Sequence, residues 1–355
     1  MPRTLRAAVI GCGKIAANHA QAVTGSAHAE LVAVSDTDLE RARAFAALHG
    51  NPKPYGDTSA LLAETRPDVV HICTPHPTHE ALVVQAALAG AHILCEKPLA
   101  VDLAAADRMT AAAERAGVRF GVLFQRRFWP AARRIREAID AGRLGTPILG
   151  ECTVRLGRDS AYYKADAWRG RWDTEGGGVL MNQGIHYLDL LQWFLGPARD
   201  VTGHIATFRH GAYIDVEDSA VATIRFASGA VATVRATTTA APGLGARVEI
   251  TGDNGHTVSV TEFPEGAPGV NDIWTLPGEE SYERVWDPAA DSDPSLAAIH
   301  RGLMPYHAEQ IDDFLRAVAE DRDPLVTGAE ARKALELVDA IYTSSRTEAT
   351  VTLSS

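Results

Sequence analysis

"LRAAVIGCGKIAANHA", residues 5–20, sets a strand, a glycine turn and the start of a helix end to end. LRAAVI reads as a short buried strand, and Gly11-Cys12-Gly13-Lys14-Ile15-Ala16 has the form G-x-G-x-x-A. The helical pattern AANHAQAVTG follows, and a second strand, LVAVSD, closes on Asp36, 23 residues after Gly13. These pieces in this order form the dinucleotide-binding fingerprint. The first glycine permits the tight turn and the second lets backbone approach a pyrophosphate, whose charge the helix N–H groups meet. Gly11, Gly13, Lys14, Ile15 and Ala16 are therefore the candidate phosphate cradle. A carboxylate at Asp36 accepts hydrogen bonds from an adenosine ribose and repels a 2′-phosphate, so NAD is expected over NADP. Thr37 offers no guanidinium to such a phosphate, while Arg41, one turn on, can approach the adenine end.

The alternation continues through helices DLERARAFAALHG and SALLAETRP, strand DVVHICTP, helix THEALVVQAALAG, strand HILCEKP, helix LAAADRMTAAAERAG and strand RFGVLFQRRF. Strict strand–helix alternation predicts a parallel, doubly wound sheet, with ligands outside the carboxyl ends of its strands. The residues at those ends are Gly11, Asp36, Thr74-Pro75-His76, Glu96-Lys97-Pro98 and Gln125. His76 and His79 have an H-x-x-H spacing but no evident third ligand, so no metal site is expected.

A length of 355 residues suits two domains, expected here at 1–125 and 126–355. A net charge of −11 disfavours nucleic acid and anionic membranes, which demand clustered Lys and Arg. Cys12, Cys73, Cys95 and Cys152 are scattered and form no C-x-x-C pair, which suggests buried free thiols in a reducing compartment. The opening residues reach glycine after a few apolar positions, too soon for a signal peptide, and no run approaches membrane-spanning length. A cytoplasmic protein is the expectation.

After Gln125 the pattern changes. Helix PAARRIREAIDAG precedes a long strand in RLGTPILGECTVRLG, and later strands alternate with period two in RDVTGHIATFRH, DSAVATIRFASG, AVATVRATTT and ARVEITGDNGHTVSV. Two helical blocks from Tyr306 close the chain. The expectation is an α+β domain built on a large open mixed sheet, one face covered by helices. Its uncovered face, rich in Ala, Val, Thr and Ile, predicts a homodimer or homotetramer. The segment from Gly269 to Gly302 reads as irregular.

Between strands lies GGGVLMNQGIHYLDLLQWFLG, residues 176–196, an apolar helix with a polar seam. At 100° per residue Asn182, His186, Asp189 and Trp193 fall in one stripe. The three glycines are expected to let the helix start pack against cofactor or substrate.

GCGKIAANHA, TPHPTHEALVVQAALAGAHILCEKPLA and GGGVLMNQGIHYLDL, in that order, resemble the Gfo/Idh/MocA family of nicotinamide-dependent sugar and inositol oxidoreductases over essentially the whole length. The resemblance implies that Lys97 is the catalytic lysine and His186 the catalytic histidine, meeting at one cavity. It places Asn182 where many members carry aspartate and others asparagine. It also implies that Thr74, Pro75, His76, His79, Glu96 and Gln125 flank the dinucleotide, and that AWRGRW (167–172) helps close the site. Arg127, Trp168, Arg169, Tyr306 and His307 are candidate substrate contacts beside Asn182 and His186. Physically, an ammonium stabilises a developing alkoxide and an imidazole carries the hydroxyl proton while hydride leaves the same carbon. The expected activity is NAD-dependent oxidation of a secondary hydroxyl on a sugar, sugar derivative or cyclitol. Two alternatives share the fold: a non-catalytic NAD-binding sensor, and a lyase or glycosidase that recycles NAD.

Overall fold

The computed structural model describes residues 3–287, 289–290 and 292–353. The chain divides into two units, one running through Gln125 and resuming at Met304–Arg332, the other holding Arg126–Leu303 and the residues from Lys333.

The first unit is a six-stranded sheet of β1 (Leu5–Ile10), β2 (Ala29–Ser35), β3 (Lys53–Tyr55), β4 (Val69–Ile72), β5 (His92–Cys95) and β6 (Phe120–Val122). Its order is β3-β2-β1-β4-β5-β6, and every neighbouring pair is parallel. The chain reverses direction of travel between β1 and β4, the crevice where doubly wound sheets bind nucleotides. Connecting helices α1 (Ala16–Gly25), α2 (Leu39–Leu48), α3 (Thr58–Thr65), α4 (His79–Leu88) and α5 (Leu103–Ala116) supply the cover. Helices α2, α3 and α5 begin at Asp38, Asp57 and Asp102, each of which accepts backbone N–H bonds in the first turn. Helix α1 begins after Ile15 with no side-chain cap. The strand expected over residues 119–128 is shorter, because Gln125–Phe128 turns into a 3₁₀ helix.

The second unit opens with α6 (Pro130–Asp140), β7 (Pro147–Arg155), α7 (Ser160–Lys164) and α8 (Ile185–Leu195). Strands β8 (Ala198–Ala206), β9 (Ser219–Phe226), β10 (Val231–Thr237), β11 (Gly245–Gly252) and β12 (Thr257–Glu262) follow. With the short strands β13 (Ile273–Trp274), β14 (Ser281–Tyr282) and β15 (Val351–Thr352) they form a nine-stranded sheet, ordered β14-β13-β12-β11-β7-β10-β9-β8-β15. It is mixed because β7 and β10 pair in parallel while the other neighbours run antiparallel. One face packs on α8: a Cβ at Gly150 would stand 2.7 Å from Leu195 Cδ1, so glycine sets the closeness of helix and sheet. The other face carries the exposed alternate residues Val221, Thr223 and Arg225 of β9 and Val231, Thr233 and Arg235 of β10.

Helices α9 (Leu296–Ala319) and α10 (Gly328–Thr347) precede β15. Two further details differ from the sequence reading. The segment 269–302 is not wholly irregular: it contributes β13, β14 and the start of α9. And residues 304–332, expected in the second domain, belong to the first unit, because Ile311, Phe314 and Leu315 complete a core with Ala7, Val69 and Leu94.

Candidate active site

In the first unit the glycine turn is fixed sterically. Gly11 adopts φ +88°, and a Cβ there would meet Thr74 Cγ2 at 2.7 Å and the Cys73 carbonyl carbon at 3.0 Å. A Cβ at Gly13 would instead point into open space, with Lys14 exposed beside it. Asp36, at the end of β2, accepts the Cys12 N–H at 3.0 Å and an Arg41 guanidinium N–H at 3.3 Å. The acid thus anchors the turn. Room at Gly13, backbone donors at the uncapped α1 start and the acid at β2 fit a dinucleotide. Gln125 Oε1 is buried with no hydrogen-bond partner among the described residues, a polar atom suited to a ligand amide.

Lys97 follows β5 and is half-buried. Beneath it Glu96 is buried, one oxygen accepting the Lys97 backbone N–H at 3.2 Å and the other meeting His19 Nε2 at 3.0 Å. His307 Nε2 lies 3.8 Å from that second oxygen, and His19 Nδ1 lies 3.0 Å from His71 Nδ1, so one proton joins the two rings. Burial alone would raise the Glu96 carboxyl; the hydrogen bond and charge of His19, with His307 and Lys97, outweigh it and hold the group at about 2. Burial first, and His19 second, keep His71 well below the usual imidazole range and so neutral. Glu96 therefore enters as a buried anion beneath Lys97, not only as a rim residue.

One residue expected at the cofactor is placed differently. His79 is fully buried, with Nδ1 3.0 Å from the Pro98 carbonyl and Nε2 3.0 Å from the Thr74 carbonyl. It ties the ends of β4 and β5 together and exposes no nitrogen to a ligand. His76 is also buried, whereas Pro75 is exposed and Thr74 partly so. Among the described residues no group of three or more His, Cys, Asp or Glu side chains could hold a metal ion.

In the second unit the helix carrying the polar seam does not start as an α-helix. Leu180–Gly184 form a π-helical turn, and the regular helix begins at Ile185. The wider turn divides the expected stripe, as such insertions do at functional sites. His186 is buried in the first turn of α8. Farther along, Asp189 receives a bidentate bond from Arg127 at 2.6 and 2.8 Å, and the guanidinium lies over the Trp193 ring. Arg127, expected to touch substrate, is thus buried and committed to Asp189, because a buried guanidinium demands a countercharge.

Asn182 lies in the π-helical turn and donates through Nδ2 to Glu175 Oε1 at 2.5 Å and to Tyr162 Oη at 3.2 Å. Glu175 is buried, and its other oxygen accepts the Gly170 N–H at 2.5 Å. The Tyr162 oxygen also receives Gln183 Nε2 at 2.9 Å and Arg169 at 2.8 Å. Arg169 lies over both the Tyr162 and Trp168 rings and pairs with Asp166. The AWRGRW stretch is thereby joined to the start of the histidine helix.

Gly177 and Gly178, before that helix, close on protein. A Cβ at Gly178 would fall 1.8 Å from the Glu217 carbonyl oxygen, and one at Gly177 2.0 Å from Tyr342 Oη. Glu217 accepts the N–H groups of Gly178 and Leu180 and the Tyr342 hydroxyl. Burial raises its carboxyl to about 7 despite those bonds.

Residues 5–124 match the NAD-binding Rossmann domain of the GFO/IDH/MocA oxidoreductases, and residues 132–258 match that family's C-terminal domain. The chain belongs to the GFO/IDH/MocA family. Among solved members, the WlbA dehydrogenase of Bordetella pertussis, in complex with NADH and UDP-GlcNAcA, is 32% identical with a TM-score of 0.86, covering 99% of each chain. The D-apiose dehydrogenase of Paraburkholderia graminis is 29% identical across 99% of this chain and 91% of its own. The D-glucoside 3-dehydrogenase of Escherichia coli is 34% identical across 64% of this chain and 68% of its own. Membership makes the chain an NAD-binding oxidoreductase of the sugar-dehydrogenase type.

Within this GFO/IDH/MocA member, sequence reasoning passed over His19, His71, Glu175, Tyr162 and Glu217. One signal was available for the first two: histidines inside an otherwise apolar helix and strand. Nothing local marks the others, whose partners lie up to 125 positions away.

Proposed function

We propose that the protein oxidises a secondary hydroxyl of a sugar, sugar derivative or cyclitol, with Lys97 stabilising the alkoxide and His186 taking the hydroxyl proton. NAD, when bound, supplies the acceptor for the hydride that leaves the same carbon. The observation that carries the reading is Lys97 at the carboxyl end of β5, seated on the buried Glu96. An ammonium there stabilises alkoxide charge as it develops. Asn182 holds substrate or histidine by hydrogen bonds, since an amide exchanges no proton at neutral pH. The glycine turn from Gly11 to Ala16, with Asp36, holds the dinucleotide, and Trp168, Arg169 and Tyr306 are candidate substrate contacts. We further propose that the exposed β9–β10 face is buried in a homodimer or homotetramer.

The test is reduction of NAD or NADP by purified protein against UDP-GlcNAcA, D-apiose, D-glucosides and myo-inositol. At least one compound should give reduced cofactor, with NAD preferred. Lys97→Ala and His186→Ala should each lower kcat by roughly 10²-fold or more while NAD still binds. No reduced cofactor with any compound, or unchanged kcat in both variants, overturns the reading. Product without net NADH would assign the NAD-recycling chemistry instead.

A further inference from the structure

Glu175 lies seven positions before Asn182, and its buried carboxylate meets the Asn182 amide at 2.5 Å. A carboxylate only accepts hydrogen bonds, so the atom facing it must be the amide nitrogen. The amide is therefore held in one of its two orientations, with Oδ1 turned away from Glu175. A neutral amide that would otherwise flip is made into an acceptor of fixed direction, one turn before His186.

We propose that Glu175 is a positioning residue for Asn182 and the reason this chain carries asparagine at 182. The proposal rests on the dehydrogenase reading for its catalytic consequence and on the hydrogen-bond pattern for the pair itself. Both carboxylate oxygens are in use: Oε2 accepts the Gly170 N–H and Oε1 accepts Asn182. An aspartate at 182 would set two carboxylates at this distance in a buried place, where both cannot remain ionised. A glutamine at 175 fails differently. Its single carbonyl oxygen can serve Gly170 or Asn182, but the other donor would then face an N–H group.

The two failures cancel when combined. With glutamine at 175 and aspartate at 182, the glutamine oxygen accepts Gly170 and its nitrogen donates to the new carboxylate. Tyr162 can turn its hydroxyl proton toward that carboxylate. The donor and acceptor of the pair are thus exchanged, with the Gly170 N–H still accepted.

The experiment is a cycle of Glu175→Gln, Asn182→Asp and the double variant, at pH 8 and needing no substrate in its first arm. Each single variant should melt several degrees below wild type, and the double variant should recover most of both losses. In the second arm, the panel compound that wild type oxidises fastest is assayed with NAD. Each single variant should lose about tenfold or more in kcat with a smaller change in KM, and the double variant should regain activity. Additive melting losses overturn the pairing. Coupled melting with kcat unchanged in Glu175→Gln overturns the positioning role. An empty panel with coupled melting removes the dehydrogenase reading and the positioning role resting on it, while the pair stands.

Discussion

Glu96 shows how one side chain can hold charge in a place that opposes it. Burial penalises the carboxylate, yet His19 and His307 hold its pKa at about 2, below the roughly 4.3 of an unfolded glutamate. A depressed folded pKa contributes stability that is full above the unfolded value and is lost as pH falls through the folded one. The contribution, on the order of 2–3 kcal/mol, is therefore present at neutral pH and disappears between about pH 4.5 and 2. Urea unfolding of wild type should weaken steeply across that window, and Glu96→Gln should flatten the slope. An identical acid dependence in both proteins would count against the ion pair. This residue was legible as a rim position from CEKP, but its partner His19 lies 77 positions away and no local pattern joins them.

At the scale of elements, the helix bearing His186 begins with a constraint that composition alone misassigned. Three consecutive glycines suggest room for a ligand, whereas at Gly177 and Gly178 the structure uses that room for the Tyr342 hydroxyl and the Glu217 backbone. Gly178→Ala should cost about 2–4 kcal/mol, since a Cβ there meets a backbone oxygen that cannot rotate away. Thermal melting checks this, and a loss below 1 kcal/mol would show that the loop yields. The π-helical turn was invisible for a related reason: a 100° projection assumes the period that Leu180–Gly184 breaks. Asp189 was visible as a seam residue, but its partner Arg127 lies 62 positions earlier and reads as one of several arginines. Local signals gave the glycine turn, Asp36 and the alternation of strand and helix, because those depend on neighbours in sequence.

For the molecule as a whole, the parallel and mixed sheets were both legible, one from alternation of strand and helix and the other from period two. The exposed rows of the second sheet lead to a further expectation. Val231 stands opposite Leu149 on β7 and Arg225 on β9, and Val221 stands opposite Arg235 and His204. Wild type should show twice or four times the chain mass by light scattering, and Val221→Arg with Val231→Arg should reduce it to one chain. A wild-type monomer, or a double variant of unchanged mass, would remove the oligomer proposal.

The return of residues 304–332 to the first unit has a consequence for biosynthesis. Ala7, Val69 and Leu94 share a core with Ile311, Phe314 and Leu315, which the ribosome makes about two hundred residues later. The nucleotide-binding unit therefore cannot close its core while its own strands emerge, and must wait with that apolar surface unsealed until strands β7 to β14 have been synthesised. Translation order and folding order part company here: the strands made first cannot complete their core until most of the other unit has been made.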